Sequence, residues 1–210
     1  MRFADLDAVT VDGFGTLVEL IDPVPELASM LRRNGTPRPE GVVRSAFAAE
    51  AGYYRAHSLT GRTPESLGAL RRRCTKVFFD AAGVSLDAAA LAPEFVAALD
   101  FRVLPDVELA LSSLRSRGLE VAVVSNWDIS LHERIEELGL GALVTTVVTS
   151  AEAGAEKPDP RIFVLAIARL RVRRDRVLHV GDSDADERGA AAVGLRFQPA
   201  PLGQAVSRWR

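Results

Sequence analysis

Three short apolar segments, each ending abruptly in polar residues, constrain the fold of this chain more than any other feature. Their apolar residues are largely β-branched, which is typical of buried strands in a parallel sheet. The polar ends supply an aspartate, a serine and an acidic cluster, and a loop before the last segment supplies a lysine. Ligands of open α/β sheets bind just beyond the carboxyl ends of the strands, so we expect these groups to converge. In chain order the four segments are VTVDGFGTL (9–17), VAVVSN (121–126), EKPDP (156–160) and LHVGDSDAD (178–186).

Strands and helices alternate along the second half of the chain. A buried strand is predicted over residues 7–12, and after Pro105 the hydrophobic pattern switches regularly between the strand and helix periods. Strands connected by helices indicate a parallel, doubly wound sheet and therefore an α/β fold. The predicted strands of this half are 120–124, 143–148, 176–180 and 195–198, and the predicted helices are 106–117, 130–138, 159–170 and 186–193.

The segment between residues 17 and 100 shows helical patterns and no convincing strand. One of its helices has clear start signals, because Thr63 is a favourable N-cap and Pro64 suits the first helical position. The tail after Pro199 gives no prediction. The predicted helices of this segment are 25–33, 40–57, 64–82 and 86–99.

These patterns predict a split domain organisation. The simplest arrangement is a core made of residues 1–16 and 100–210, interrupted by a helical domain of residues 17–99. The inserted domain leaves the core directly after Asp12, which ends the first strand. We therefore expect the insert to form a cap above the candidate site.

Composition and charge favour a globular protein that acts on a small molecule. The chain has 210 residues, 48% hydrophobic and 26% charged, which is typical of one large domain or of a core with a smaller insert. A net charge of -2 gives no general attraction for nucleic acid or for an anionic membrane. The single cysteine, Cys74, rules out an intrachain disulfide and fits a reducing compartment. We predict a cytoplasmic monomer or homodimer, with no signal peptide and no membrane-spanning segment.

The four segments closely resemble the signature motifs of the haloacid dehalogenase-like (HAD) hydrolase superfamily, and the insert after the first motif resembles its helical-cap branch. The stretches VSNWD (124–128), VTSAEAG (148–154) and KPDPRIF (157–163) are similar to members described only as HAD-like hydrolases. The resemblance implies a Rossmann-like core and a two-step transfer through an aspartyl intermediate. Most members of the superfamily are magnesium-dependent phosphatases, and a minority cleave carbon–halogen or carbon–phosphorus bonds.

The resemblance assigns catalytic roles by position. It makes Asp12 the nucleophile, Ser125 a hydroxyl that binds phosphate, and Lys157 the cation that neutralises charge. A carboxylate at a strand end can attack phosphorus or carbon to form a covalent intermediate that water resolves. An ammonium group beside it stabilises the charge of the transferring group. The predicted substrate-binding residues are Gly15, Thr16, Ser125, Asn126 and Lys157.

The resemblance also predicts a magnesium site. Clustered carboxylates repel each other unless a cation or a proton relieves them, and oxygen ligands suit Mg²⁺. Asp12 and Asp182 are the predicted direct ligands, together with the backbone carbonyl of Phe14, and Asp186 is predicted to hold metal-bound water. Asp184 is ambiguous, because an acid at that position also suits the start of a helix.

Phe14 departs from the pattern of the family phosphatases. They usually carry a second aspartate two residues after the nucleophile, which acts as general acid and base. Phenylalanine cannot transfer a proton, and losing such help typically lowers the rate by roughly 10² to 10⁴. The enzyme can therefore favour good leaving groups, take the proton from a cap residue or water, or catalyse a reaction that needs no proton.

Two alternatives to a phosphatase follow from Phe14. Relatives that act as 2-haloacid dehalogenases carry an aromatic residue at this position and work without metal, but they tend to lack the aspartate that Asp182 represents. A catalytically weakened ligand-binding protein is the third reading. The presence of Asp182 favours the metal-dependent phosphatase. Among the histidines, which lack ligand-like spacing, His179 is interpreted as a structural residue of a buried strand.

Overall fold

A computed structural model describes residues 3–209 of the chain. The chain divides into two compact units. The first unit runs up to Glu19 and resumes at Arg102, and the second unit is Leu20–Phe101. The assignment of a cap role to the helical insert stays a prediction.

A parallel five-stranded sheet forms the centre of the first unit, which confirms the predicted α/β fold. In chain order the strands are β1 (Ala8–Val11), β2 (Val18–Leu20), β3 (Phe101–Val103), β4 (Glu120–Ser125), β5 (Thr146–Thr149), β6 (Val177–Gly181) and β7 (Arg196–Pro199). The sheet has the order β5-β4-β1-β6-β7, and β2 pairs with β3 separately. All residues of β1 and β6 are buried, as expected for strands covered on both faces.

The helices complete both units. In chain order they are α1 (Val24–Arg33), α2 (Glu40–His57), α3 (Pro64–Ala81), α4 (Ala88–Ala97), α5 (Val107–Ser116), α6 (Leu131–Glu137), α7 (Ser150–Ala153), α8 (Pro160–Leu170), α9 (Asp184–Ala192) and α10 (Leu202–Ser207). In the first unit α8 packs on β4 and β5, and α9 packs on β6 and β7. Within residues 3–209, no helix is long and apolar enough to cross a membrane.

Strand β1 lies where the chain connections diverge. Val11 pairs with Val123 of β4 on one side and with Val180 of β6 on the other. The residues that follow these three strands therefore lie at one edge of the sheet. This position is a topological switch point, where open α/β sheets bind their ligands.

The second unit contains α1 to α4 and has its own apolar core. The start of α3 confirms the prediction: the Thr63 side chain accepts a hydrogen bond from the backbone N–H of Ser66, and Pro64 is the first helical residue. The largest fully buried side chains of this core are Phe78, Phe79, Phe95, Leu27, Met30 and Leu31.

Several elements differ from the predictions. The expectation of no strand after residue 17 is wrong, because β2 begins at Val18. Strand β5 begins at Thr146 rather than at 143, since Gly141–Leu143 forms a short 3₁₀ turn. Helix α9 begins two residues early, at Asp184, because the Ser183 side chain accepts from the backbone N–H of Asp186 and caps it. The short helix α7 and the tail helix α10 were not predicted.

Candidate active site

Asp12 is buried at the end of β1 and contacts two of the predicted catalytic side chains. Its backbone N–H donates to the carbonyl of Val180 at 2.9 Å, which extends the sheet by one residue. Its Oδ1 accepts from the Lys157 ammonium at 2.5 Å and from the Ser125 hydroxyl at 3.3 Å. Within the described residues no donor contacts its Oδ2. One oxygen of Asp12 is therefore held in place, and the other faces no protein donor.

Lys157 bridges two carboxylates. Besides Asp12, its ammonium donates to Oδ1 of Asp186 at 2.6 Å, and the Lys157 side chain is only 4% exposed. Its backbone is held by Asn126, whose Oδ1 accepts from the Lys157 N–H at 2.7 Å and whose Nδ2 donates to the Lys157 carbonyl at 3.3 Å. Asn126, predicted to bind substrate, thus contacts the loop that carries the lysine.

Asp186 accepts hydrogen bonds on both oxygens. Its Oδ1 receives the Lys157 ammonium and also lies 2.9 Å from Nε2 of His179. Its Oδ2 accepts from the hydroxyl of Ser183 at 2.5 Å and from the Ser183 backbone N–H at 3.2 Å. Four protein donor groups therefore hold the Asp186 carboxylate in place.

Burial and neighbouring charges set the protonation of this cluster. Burial raises the pKa of Asp12 to about 6; the Lys157 ammonium opposes this rise and the Asp186 carboxylate adds to it. Burial also opposes the ionisation of Asp186, but the hydrogen bond from His179 and the charge of Lys157 outweigh it and hold its pKa below the ordinary value. Burial lowers the pKa of His179, so its imidazole is neutral at pH 7. The side chains of Asp12, Asp186 and Lys157 thus comprise two carboxyl groups and one ammonium. A bound cation nearby would favour the ionised form of Asp12.

Three carboxylates of the site lie close enough together to share a divalent cation. Asp12, Asp182 and Asp186 each offer an oxygen, and these oxygens lie within 4.8 Å of one another. Gly15 makes room for this arrangement: at φ +83° its backbone passes so close to Asp182 that a Cβ would lie 2.1 Å from Oδ2. Carboxylate oxygens are the ligands that Mg²⁺ prefers, so this donor set fits the predicted metal.

The loop after Asp12 carries two further predicted residues. Phe14 is 51% exposed, and its ring centroid lies 6.4 Å from that of Trp127, just beyond the end of β4. Thr16 is 1% exposed, and its hydroxyl has no hydrogen-bond partner within the described residues. The metal role of the Phe14 carbonyl and the substrate roles of Gly15 and Thr16 stay predictions.

The structure brings together Asp12, Ser125, Lys157, Asp182 and Asp186 at one edge of the sheet, as the strand-end argument predicts.

Sequence reasoning missed the polar residues behind this cluster. Ser183 donates to Asp186, and His179 contacts both Asp186 and the hydroxyl of Thr10, whose Oγ1 lies 2.9 Å from His179 Nδ1. The available signal was the presence of Thr10 and His179 inside otherwise apolar strands. The contact itself depends on the pairing of β1 with β6, which places these two residues side by side.

The sequence of this chain matches a family model and several known proteins. The family model described as haloacid dehalogenase-like hydrolase matches residues 6–194. Haloacid dehalogenase-like hydrolase domain-containing protein 3 of Mus musculus is 37% identical over 203 residues, covering 89% of this chain and 78% of the mouse protein. Ribulose-1,5-bisphosphate 5-phosphatase of Halopiger xanaduensis is 38% identical over 98 residues, covering 46% of this chain and 41% of that protein.

A solved structure supports the fold. The 2-haloacid dehalogenase of Pseudomonas syringae pv. Tomato DC3000 superposes with a TM-score of 0.69 and 23% identity, covering 98% of this chain and all of that one. An identity this low shows the fold alone. The family match, by contrast, spans most of the chain and includes every residue of the carboxylate and lysine cluster. The chain therefore belongs to the haloacid dehalogenase-like hydrolases and is an enzyme of that family.

Proposed function

We propose that this hydrolase is a magnesium-dependent phosphatase that acts on a small phosphorylated metabolite through an aspartyl-phosphate intermediate. The contacts of Asp12 support this proposal most strongly: Lys157 and Ser125 hold one oxygen and leave the other without a protein donor. The phosphatase name of the Halopiger relative points the same way. A cytoplasmic location and a monomeric or homodimeric state remain part of the proposal.

In the first step Oδ2 of Asp12 attacks phosphorus, and the bond between phosphorus and the leaving oxygen breaks. In this proposal Ser125 and Lys157 bind the phosphoryl oxygens and reduce the negative charge around them. In the second step water attacks the phosphorus of the acyl phosphate, which releases inorganic phosphate and restores the Asp12 carboxylate. Asp186 takes no covalent part and keeps Lys157 in place.

Magnesium fits at Asp12 and Asp182, because Asp186 already accepts four protein hydrogen bonds. When bound, Mg²⁺ would neutralise part of the phosphate charge and keep Asp12 ionised.

Because of Phe14, we expect the enzyme to prefer substrates with good leaving groups. The phenylalanine side chain carries no proton to give, so the leaving oxygen departs as an anion or takes its proton from water or from a residue of the helical insert. Acyl phosphates and aryl phosphates meet this condition better than alkyl phosphates do. Phe14→Asp should raise the rate with a poor alkyl leaving group more than the rate with p-nitrophenyl phosphate, whereas Phe14→Leu should not. An unchanged ratio in Phe14→Asp would refute this role of Phe14.

The direct experiment measures phosphate release from p-nitrophenyl phosphate and acetyl phosphate, with magnesium or with EDTA. We expect activity only with magnesium, no activity in Asp12→Asn, and faster turnover of acetyl phosphate. Asp175→Asn is the matched control, because Asp175 is an exposed acid paired with Arg173. If the wild-type protein and Asp12→Asn release phosphate equally slowly across a broad substrate panel, the proposed phosphatase function fails.

Phe14 also favours a second candidate, a haloacid dehalogenase. Halide leaves without a proton, so an aromatic residue at this position costs that reaction nothing. The candidate predicts chloride release from 2-chloropropionate in EDTA. The three clustered carboxylates argue against it, because Lys157 supplies only one positive charge among them and a metal-free reaction adds no second cation.

A further inference from the structure

A line of buried polar groups crosses from β1 to β6 behind the candidate active site. Thr10, His179 and Asp186 are each 0% exposed. Thr10 and His179 are paired neighbours in the sheet, and Asp186 lies in the first turn of α9. Buried polar groups are costly unless they are hydrogen-bonded. Three adjacent ones in the core therefore indicate that their hydrogen bonds have a structural or functional role.

The geometry shows that Nε2 of His179 carries a proton. Nε2 lies 2.9 Å from Oδ1 of Asp186, and an ionised carboxylate only accepts, so Nε2 must donate. Nδ1 lies 2.9 Å from the hydroxyl oxygen of Thr10 and 3.1 Å from the Thr10 carbonyl oxygen. Thr10 therefore offers Nδ1 a partner in either protonation state of that nitrogen. This arrangement matches the way an outer partner fixes the orientation of a functional histidine.

Packing holds the imidazole in this orientation. The edge of one ring faces the other where Phe163 packs on the imidazole, with ring centroids 4.9 Å apart. The ring centroid of Phe197 lies 6.2 Å from that of the imidazole, with the two rings tilted by 36°. Since Gly189 has no side chain, Phe163 can occupy this place; a Cβ at Gly189 would lie 2.4 Å from the Phe163 ring. The imidazole thus has little freedom to turn away from Asp186.

We propose that His179 is a positioning residue for Lys157 and acts through Asp186. The Nε2–H of His179 and the Lys157 ammonium both donate to Oδ1 of Asp186. His179 therefore holds in place the oxygen that positions the Lys157 ammonium beside Asp12. Without His179 the carboxylate keeps its contacts with Ser183 but can turn about them, and the ammonium loses its fixed place. The effect on catalysis rests on the proposed phosphatase function, whereas the hydrogen bond itself does not.

The first arm of the test is ¹⁵N NMR of the histidine side chains in the full chain. We expect the His179 signal, assigned by its loss in His179→Gln, to show a proton on Nε2. An unprotonated Nε2 would overturn the proposal, because that nitrogen could not donate to Asp186. This arm gives its answer whatever the activity of the protein is.

The second arm is kinetic and uses p-nitrophenyl phosphate with magnesium. His179→Leu should lower kcat by about 10- to 100-fold, the usual effect of removing an outer hydrogen-bond partner, with KM near the wild-type value. His179→Gln, whose amide can place a donor near Nε2, should recover most of kcat. Equal kcat in His179→Leu and the wild type, or an equal loss in both variants, would overturn the proposal. A wild type without phosphatase activity would instead refute the proposed function and leave the NMR arm to decide.

Discussion

A buried glutamate in the second unit makes the stability of this protein dependent on pH. Glu50 of α2 is only 4% exposed, and the Cys74 thiol donates to its carboxylate. Burial raises the pKa of Glu50 from 4.5 to about 7, because few neighbours compensate its charge. The folded protein therefore holds a proton on Glu50 between these two pH values, where the unfolded chain does not. The contribution of Glu50 to the free energy of unfolding therefore falls as the pH rises from about 4.5 to about 7.

The size of this effect follows from the two pKa values. Each pKa unit is worth about 1.4 kcal/mol, so ionised Glu50 costs up to about 3 kcal/mol at pH 8. Glu50→Gln removes the charge and keeps an oxygen that can accept from Cys74. We expect this variant to be more stable than the wild type at pH 8 by up to about 3 kcal/mol, and to differ little from it at pH 5.

Urea unfolding at pH 5, 6, 7 and 8 in EDTA measures this difference. Glu40→Gln is the control, because Glu40 is an exposed acid at the start of the same helix. The control should keep the wild-type pH dependence, and Glu50→Gln should flatten it. A Glu50→Gln variant that is less stable than the wild type at pH 8, or that keeps the same slope, would refute the reasoning.

Three further substitutions test individual contacts. Glu152→Ala should lower the free energy of unfolding at pH 7 by about 1 to 3 kcal/mol in urea titrations, because Glu152 closes the capping box of α7, contacts Nε2 of His132 and forms an ion pair with Arg169; a loss below about 0.5 kcal/mol would contradict this. Gly15→Ala should weaken magnesium binding in calorimetry at least tenfold, because the new Cβ would displace the Asp182 carboxylate. A loss of this size is typical when a contact that positions a metal ligand is removed. Gly118→Ala is the control, because Gly118 has a similar positive φ but open space around it, and it should leave magnesium binding unchanged. Equal magnesium affinities of the Gly15→Ala and Gly118→Ala variants would contradict the expected clash at Gly15. Asn126→Ala should lower kcat for phosphate release about tenfold by freeing the Lys157 backbone, and a wild-type kcat would contradict it.

The central strands of the sheet could be predicted because they are mostly apolar and end abruptly in polar residues. The same rule placed Asp12 and Ser125 at one edge, since neighbouring parallel strands end together. The short strands β2 and β3 could not be predicted in this way. Each has three residues, and β2 pairs with a strand that lies about eighty residues later in the sequence, so no local pattern marks it.

Side-chain contacts were predicted less completely than backbone elements. The sequence predicts Asn126 as a substrate-binding residue and His179 as a structural residue of a buried strand, but their hydrogen-bond partners depend on tertiary contacts. Asn126 binds the backbone of Lys157, and His179 reaches Thr10 only through the register of β1 with β6. Such hydrogen bonds follow from distances between separate segments, which periodicity and motif spacing do not contain.

The aspartyl intermediate is the central claim of the proposed function, and trapping it is the most direct test. The protein would be mixed with acetyl phosphate and magnesium, quenched in acid within milliseconds to seconds, and digested for mass spectrometry. We predict one phosphoryl group on the peptide that contains Asp12, which disappears as phosphate is released and never forms in Asp12→Asn. Phosphate release without this adduct, or an equal adduct in Asp12→Asn, would contradict the account.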